Sequence, residues 1–178
     1  CESIESIVIP AKVTKLGEAT DGSITAFAMA TSLKTITVDE NNAKYSSKDG
    51  VLYGKDKDGV LVTVLYCPIM NTPAGGTFIV PESVTRIETG AFAYNRGIEK
   101  IEFNNSGENL TFGSKVFASC EGLKEITLPK GMTVIGESMF EGCTTLEKVY
   151  IPNTVVSIQQ SAFRKCGSLK TVEFEQGG

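Results

Sequence analysis

The chain has 178 residues, 41% hydrophobic and 21% charged, with a formal net charge of −4. That length suits one domain able to bury about 70% of its unfolded surface, and the mild acidity offers no basic footprint for nucleic acid. Histidine is absent, which excludes a Ser-His-Asp triad, a Cys-His pair and histidine-ligated zinc, and no run reaches the roughly 18 apolar residues of a membrane span.

Taken in order, the first element is a short apolar run through Ile4, Ile7 and Ile9. Pro10 stops it, because proline has no N–H to give a ladder. Val13, Leu16 and Gly17 turn the chain back, and Thr20 to Ser23, with Asp21-Gly22, predict a bulging loop before Phe27. A second coil starts at Leu33, Ile36 and Val38 and is then interrupted over residues 39–74. Within that insertion Asp39 to Asn42 is polar and Tyr45 to Gly50 reads as turn. Val51-Leu52-Tyr53 and Val60 to Tyr66 read as two strands of a β-hairpin near residues 45–66. The loop between them, Lys55 to Gly59, holds glycine where a positive φ is expected. Its Asp56-x-Asp58-Gly59 run is too short for a calcium loop, lacking the later acidic ligands.

The pattern returns with Phe78, Val80, Pro81, Val84, Ile87, Gly90 and Phe92, and again at Ile98, Ile101 and Phe103. From Cys120 it becomes regular. Cys120, Leu123, Ile126, Leu128, Pro129, Ile135 and Phe140 recur 23 residues later as Cys143, Leu146, Val149, Ile151, Pro152, Ile158 and Phe163; Cys166, Leu169, Val172 and Phe174 begin a third copy. A fixed period of this length marks a repeat architecture. One such coil cannot bury its own apolar residues, whereas stacked coils cover one another with the same side chains. The expected fold is therefore a solenoid of about six coils over residues 1–178. Its short parallel strands line one face, irregular or short helical or strand segments the other, and 39–74 is an insertion within it. Phe92, Phe117, Phe140 and Phe163 should stack internally. Cys120, Cys143 and Cys166 keep the period, so they read as a column of buried reduced thiols. With no close Cys-x-x-Cys pair they do not read as a metal site. Cys1 has the same spacing to Ile4 and Ile7, which favours a repeat position over a lipid-anchoring residue. Ala30 and Asn95 take the cysteine position in two coils.

The motif Cys-x-x-Leu-x-x-Ile-x-Leu-Pro, carried by Cys120 to Phe140 and Cys143 to Phe163 and more weakly by Phe78 to Phe92, resembles the BspA-like leucine-rich repeat family. The segment from Val38 to Asn42 and on through Tyr45 to Tyr53 also resembles one common in that family. The resemblance implies a right-handed leucine-rich repeat solenoid on a secreted or surface-attached protein of anaerobic bacteria or protists. It implies adhesion to host proteins such as fibronectin and fibrinogen, and coaggregation, and it brings no catalytic motif.

No Gly-rich phosphate loop is present. Paired carboxylates could serve a glycosidase, but no acidic residue is singled out by its setting, so neither an enzyme, a cofactor nor a metal is expected. Asn104-Asn105-Ser106 fits a glycosylation sequon and reads as a polar loop if the source is bacterial. What remains is the outward strand face. Its first column reads Glu99, Lys124, Glu147, Lys170 and its second Lys100, Glu125, Lys148, alternating in sign at each coil. Such lateral neighbours would neutralise one another. Recognition would then fall to Ile79 and Tyr150 in the third column, so the candidate contact residues are Ile79, Glu99, Lys100, Lys124, Glu125, Glu147, Lys148 and Tyr150. The expected role is a non-enzymatic extracellular or cell-surface domain that binds a host or bacterial surface protein or a glycan, without nucleic acid and without entering a membrane. The alternative is a spacer presenting another domain. An export signal or anchor is expected outside these residues.

Overall fold

The structure, a computed structural model, describes residues 2–17, 26–27, 30–104 and 109–176. Cys1, the loop expected at Thr20 to Ser23, and Asn105 and Ser106 of the sequon lie outside the described residues. In chain order the strands are β1 (Ser6–Ile9), β2 (Thr35–Val38), β3 (Tyr45–Lys48), β4 (Val51–Lys55) and β5 (Leu61–Tyr66). After one 3-10 turn at Ala74–Gly76 come β6 (Thr77–Val80), β7 (Arg86–Ile87), β8 (Lys100–Phe103), β9 (Thr111–Phe112) and β10 (Glu125–Thr127). The last four are β11 (Val134–Ile135), β12 (Lys148–Ile151), β13 (Ser157–Ile158) and β14 (Thr171–Phe174).

These strands form the expected leucine-rich repeat solenoid. β6, β8, β10, β12 and β14 make one parallel five-stranded sheet on the front, in the register the sequence period dictates: Ile101 lies beside Ile126, Ile126 beside Val149 and Val149 beside Val172. On the back, short strands pair coil to coil as β5-β7-β9 and as β11-β13. Proline follows four of the front strands, at Pro10, Pro81, Pro129 and Pro152, so the ladder stops and the chain turns under itself.

Between back strand and front strand each coil makes a compact double turn with two residues in the left-handed region. One set is Gly90, Lys115, Ser138 and Ser161; the other is Tyr94, Ser119, Gly142 and Lys165, with φ between 51° and 77°. A non-glycine residue there costs about 1–2 kcal/mol. The compensation is visible in the hydrogen bonds. Lys115, Phe117 and Ser119 donate their N–H groups to the carbonyls of Glu137, Met139 and Glu141 in the next coil, at 3.1, 3.0 and 2.7 Å. Ser138, Phe140 and Gly142 repeat this toward Gln160, Ala162 and Arg164.

The phenylalanine column forms as expected. Phe92, Phe117, Phe140 and Phe163 stack with centroids 5.6, 5.3 and 5.4 Å apart, and Phe78 meets Phe92 edge-on at 5.0 Å. Phe92, Phe117 and Phe140 are fully buried, while Phe163 is half-buried because no described coil packs over it.

The insertion departs from its reading in one respect. Tyr45 to Lys48 is a strand, not a turn: it pairs antiparallel with β4, and the tight turn is confined to Asp49 and Gly50, both with positive φ. β3, β4 and β5 are thus a three-stranded meander, and β5 runs parallel into β7. The expected hairpin loop holds, with the Asp56 carboxylate accepting the N–H groups of Asp58 and Val60 at 2.9 Å and Gly59 at φ 81°. The meander acts as a partition. Leu52 and Tyr66 pack with Ile9, Leu33 and Ile36 of the first coils. Val51, Tyr53 and Val64 pack with Phe78, Ile87 and Phe92 of the later ones. The alternating faces of a strand make this possible, and it divides the interior into two apolar clusters.

Truncating the aromatic column tests the stack. Phe140→Ala, between two ring neighbours, should cost about 3–5 kcal/mol in urea melts. Phe163→Ala, covered on one side, should cost clearly less. Equal losses would show that the terminal coil is as tightly covered as the interior.

Candidate binding face and thiol column

The front sheet carries the expected charges on its outward positions because strand side chains alternate. Lys124 Nζ lies 2.7 Å from the Glu99 carboxylate and Lys170 Nζ 2.9 Å from that of Glu147. The same column pairs in the first coils, where Lys34 Nζ sits 2.8 Å from Glu5, a pair the sequence reading did not include. The column therefore joins two by two.

The second column does not pair side to side as its alternation suggests. Lys100 turns along its own strand to Glu102 at 3.0 Å, and Lys148 crosses diagonally to Glu173 at 2.7 Å. Lys148 Nζ also sits 4.4 Å from the centroid of the Tyr150 ring. The hydrogen bonds to Glu173 and then to Tyr150 hold the Lys148 ammonium well above its ordinary range, and Glu102, first by its hydrogen bond, raises that of Lys100. Glu125 stands between Lys100 and Lys148 in register but joins no ion pair among the described residues.

Six of the eight candidate residues, Glu99, Lys100, Lys124, Glu125, Glu147 and Lys148, come together around one concavity of about 500 Å³. Three lysines face three glutamates there, so the surface is polar and neutral. Ile79, 50% exposed, and Tyr150 share the third column but sit on β6 and β12, with β8 and β10 between them. Three strand steps of about 4.8 Å separate them by roughly 14 Å, so they are not one patch. Tyr150 instead borders a second groove of about 260 Å³ with Leu128, Ile151, Pro152 and Phe174, rimmed by Lys130, Glu173 and Glu175. Phe174 was placed in the core by its repeat position, yet it is 61% exposed, as no described coil covers it. The period pointed to the position, and only the stacking order revealed its exposure.

Behind the strands runs the thiol column. Cys120, Cys143 and Cys166 donate S–H to the carbonyls of Phe92, Phe117 and Phe140 at 2.9, 2.9 and 3.1 Å, each on the preceding coil. Where asparagine replaces cysteine at position 95, the buried carboxamide does more. Its Nδ2 donates to the carbonyls of Pro68 and Asn71 at 2.7 and 3.2 Å, and its Oδ1 accepts the N–H groups of Gly97 and Ile98 at 3.0 and 2.8 Å. Asn42 repeats the arrangement with Pro10, Val13, Lys44 and Tyr45. Burial pushes the Cys67 and Cys120 thiols well above their ordinary range and the half-buried Cys166 thiol up to about 11. It raises the Tyr66 phenol to about 12 and Tyr53 further. Cys67, Cys120, Cys143 and Cys166 are free thiols. Among the described residues no group of His, Cys, Asp and Glu is arranged to hold a metal ion, and no helix is long and apolar enough to cross a membrane.

A sequence profile described as BspA type leucine rich repeat region matches residues 1–49 and 70–177 in six copies, leaving out most of the meander. No curated protein matches the chain. Among solved structures, a leucine rich cell surface protein from Faecalibacterium prausnitzii is 30% identical over 98% of this chain and 49% of its own, with a TM-score of 0.69. The pneumococcal vaccine antigen PcpA is 28% identical over 96% of this chain and 39% of its own, at a TM-score of 0.80. A leucine-rich repeat protein from Eubacterium ventriosum is 26% identical over 96% and 49%, at 0.72. The chain thus spans less than half the length of each.

Two outcomes follow for the thiols. Brief alkylation of the native protein should label Cys166 first and Cys67, Cys120 and Cys143 slowly, read by mass spectrometry; uniform fast labelling would place the column at the surface. These groups also set an alkaline limit. Buried thiols and phenols with raised folded values bind protons the unfolded chain has already lost, so their contribution is complete below the unfolded values, about 8.5 for Cys and about 10 for Tyr. It falls as pH rises through the folded values. Urea midpoints should be flat from neutral pH upward and then decline above about pH 9; an unchanged midpoint at pH 10.5, about two units past the free thiol value, would contradict burial of these groups.

Proposed function

The chain belongs to the BspA-type leucine-rich repeat family, and we propose that it is a non-enzymatic, surface-exposed binding domain that engages a protein partner through the front sheet near Tyr150. The observation that carries this reading is the paired charge lattice of the front sheet beside the half-buried Tyr150. Lys100, Lys124, Lys148 and Lys170 of the front face are each paired with a glutamate, which leaves little field to steer a charged ligand. Tyr150 supplies apolar area and a hydroxyl tip next to them, and tyrosine is enriched where binding energy concentrates. Similarity to a cell surface protein and to a vaccine antigen supports an exposed location. A host matrix protein is the partner class the family resemblance favours.

Fibronectin and fibrinogen, immobilised separately, are the first probes. The domain should be retained by at least one of them, and Tyr150→Ala should weaken retention about tenfold or more, in keeping with the loss of a binding hot spot. Lys148→Ala should change it little, since Lys148 already spends its charge on Glu173. Loss of binding by Lys148→Ala with Tyr150→Ala unaffected would make the charged lattice the contact surface. Retention on neither protein would favour the spacer role.

A further inference from the structure

The front sheet is broken in one place, and the break is built. The two-stranded sheet of β1 and β2 and the five-stranded sheet that starts at β6 do not join. The meander fills β2's side of the gap. Ile36 N–H donates to the Gly50 carbonyl and Val38 N–H to Ser47 Oγ, both at 2.9 Å, so the hairpin tip caps the β2 edge. Asn71 ties the tip down, donating from Nδ2 to the carbonyls of Asp49 and Lys34.

Among the described residues nothing equivalent covers β6. Along this solenoid the backbone groups of alternate residues point to opposite neighbours. The Gly76 carbonyl accepts from Glu99 N–H on the β8 side, so Phe78 and Val80 also address β8. Thr77 and Ile79 therefore turn their N–H and C=O groups the other way, toward the hairpin tip. β6 pairs only with β8, and neither Thr77 nor Ile79 makes another backbone hydrogen bond. Pro81 occupies the next position of that edge, which ends the row of donors. Between this edge and the tip lies a cleft of about 690 Å³ whose walls include Lys48, Asp49, Thr77, Phe78 and Ile79. That volume falls in the ordinary range for ligand sites, about 300–1,000 Å³.

We infer that the cleft between the hairpin tip and β6 is a β-augmentation site that takes an extended peptide segment of a protein partner. Three features specify a polypeptide in strand conformation rather than another ligand. Two donors and two acceptors alternate at the two-residue spacing of Thr77 and Ile79, which only an extended backbone matches. The added strand would continue a parallel five-stranded sheet whose register is already set. Ile79, 50% exposed beside the free edge, offers an apolar lateral neighbour for a β-branched or aromatic residue. The cleft sets Lys48 against Asp49 and Glu82, which disfavours a strongly acidic segment. This site is separate from the face around Tyr150, and its occupancy does not depend on that reading.

The experiment uses linear 12-residue peptides displayed on phage, selected against the whole chain, with backbone amide hydrogen exchange as the readout. In the free protein the Thr77 and Ile79 amides should exchange fast and those of Phe78 and Val80 slowly. A selected peptide should slow Thr77 and Ile79 specifically and be rich in β-branched and aromatic residues. Ile79→Pro deletes a cleft-facing donor without touching the bonds to β8, and should weaken peptide binding roughly tenfold. If that variant fails to fold, Lys48→Trp on the exposed tip fills the cleft from the far side and should weaken binding likewise. Tyr150→Ala should leave peptide affinity unchanged. No selected peptide, or a peptide that protects other amides, or binding indifferent to Lys48→Trp, overturns the inference. Concentration-dependent oligomers in sedimentation, with protection at both β6 and β14, would overturn it in favour of a second copy of the chain as occupant.

Discussion

The structure depends on axial register. Every coil presents backbone N–H and C=O groups along the stacking direction, and each must meet its counterpart on the next coil or lie buried without a partner, at about 1–3 kcal/mol apiece. This fixes the 23-residue period of the regular coils more firmly than any side chain does. It also explains the left-handed residues. Ser119 and Lys165 gain nothing locally from positive φ, yet Ser119 and its equivalents hold N–H groups on the axis where the next carbonyl waits. The strain is local and the return is distributed over the stack, as expected of a quasi-one-dimensional protein. Register also demands close approach. A side chain at Gly122 would bring its Cβ 2.7 Å from the carbonyls of Arg96 and Ile98. One coil later Thr145 occupies the same position, its hydroxyl within hydrogen-bond distance of the Glu121 and Leu123 carbonyls.

The insertion shows what happens when that register is broken. A solenoid interrupted between two coils would expose two strand edges and two apolar end faces. The meander resolves most of this at once. Its alternating side chains cover the end faces of both halves, Leu52 toward one and Val51 and Tyr53 toward the other, and its tip caps β2. Only one edge, that of β6, is left over, because a single hairpin tip can satisfy one row of backbone groups but not two facing rows. Edges of this kind are usually blunted, and Pro81 and the shortness of β6 do so in part.

The features legible in the sequence were those that repeat chemically. The phenylalanine and cysteine columns, the front strands and their proline stops recur with the same residue types, so period alone placed them. The left-handed positions were not legible, since Gly90, Lys115, Ser138 and Ser161 share a backbone conformation and no side-chain chemistry. β3 was hidden by its polar composition, Tyr45-Ser-Ser-Lys48, which reads as turn although its neighbour β4 supplies the pairing. Among the candidate contact residues, the first charge column followed the sequence. The second did not, because a long side chain chooses among partners within reach: Lys148 found Glu173 across the Tyr150 ring where the period offered Glu125 beside it. Phe174 illustrates a different limit, as repeat phase fixes which way a residue points and the presence of a covering coil decides whether it is buried.

Shape and charge in this protein repeat with different periods. The apolar core recurs at every coil, whereas the first outward column recurs at every second, and its ion pairs form as Glu5 with Lys34, Glu99 with Lys124 and Glu147 with Lys170. Exposed pairs of this kind are worth about 0–1 kcal/mol each, far less than the burial of one phenylalanine, so they add little to stability. Their effect is on the field outside the sheet. Each lysine of the first column lies within 3 Å of a carboxylate one coil away, so charges of both signs are interspersed along the stack and little net potential accumulates over the front face.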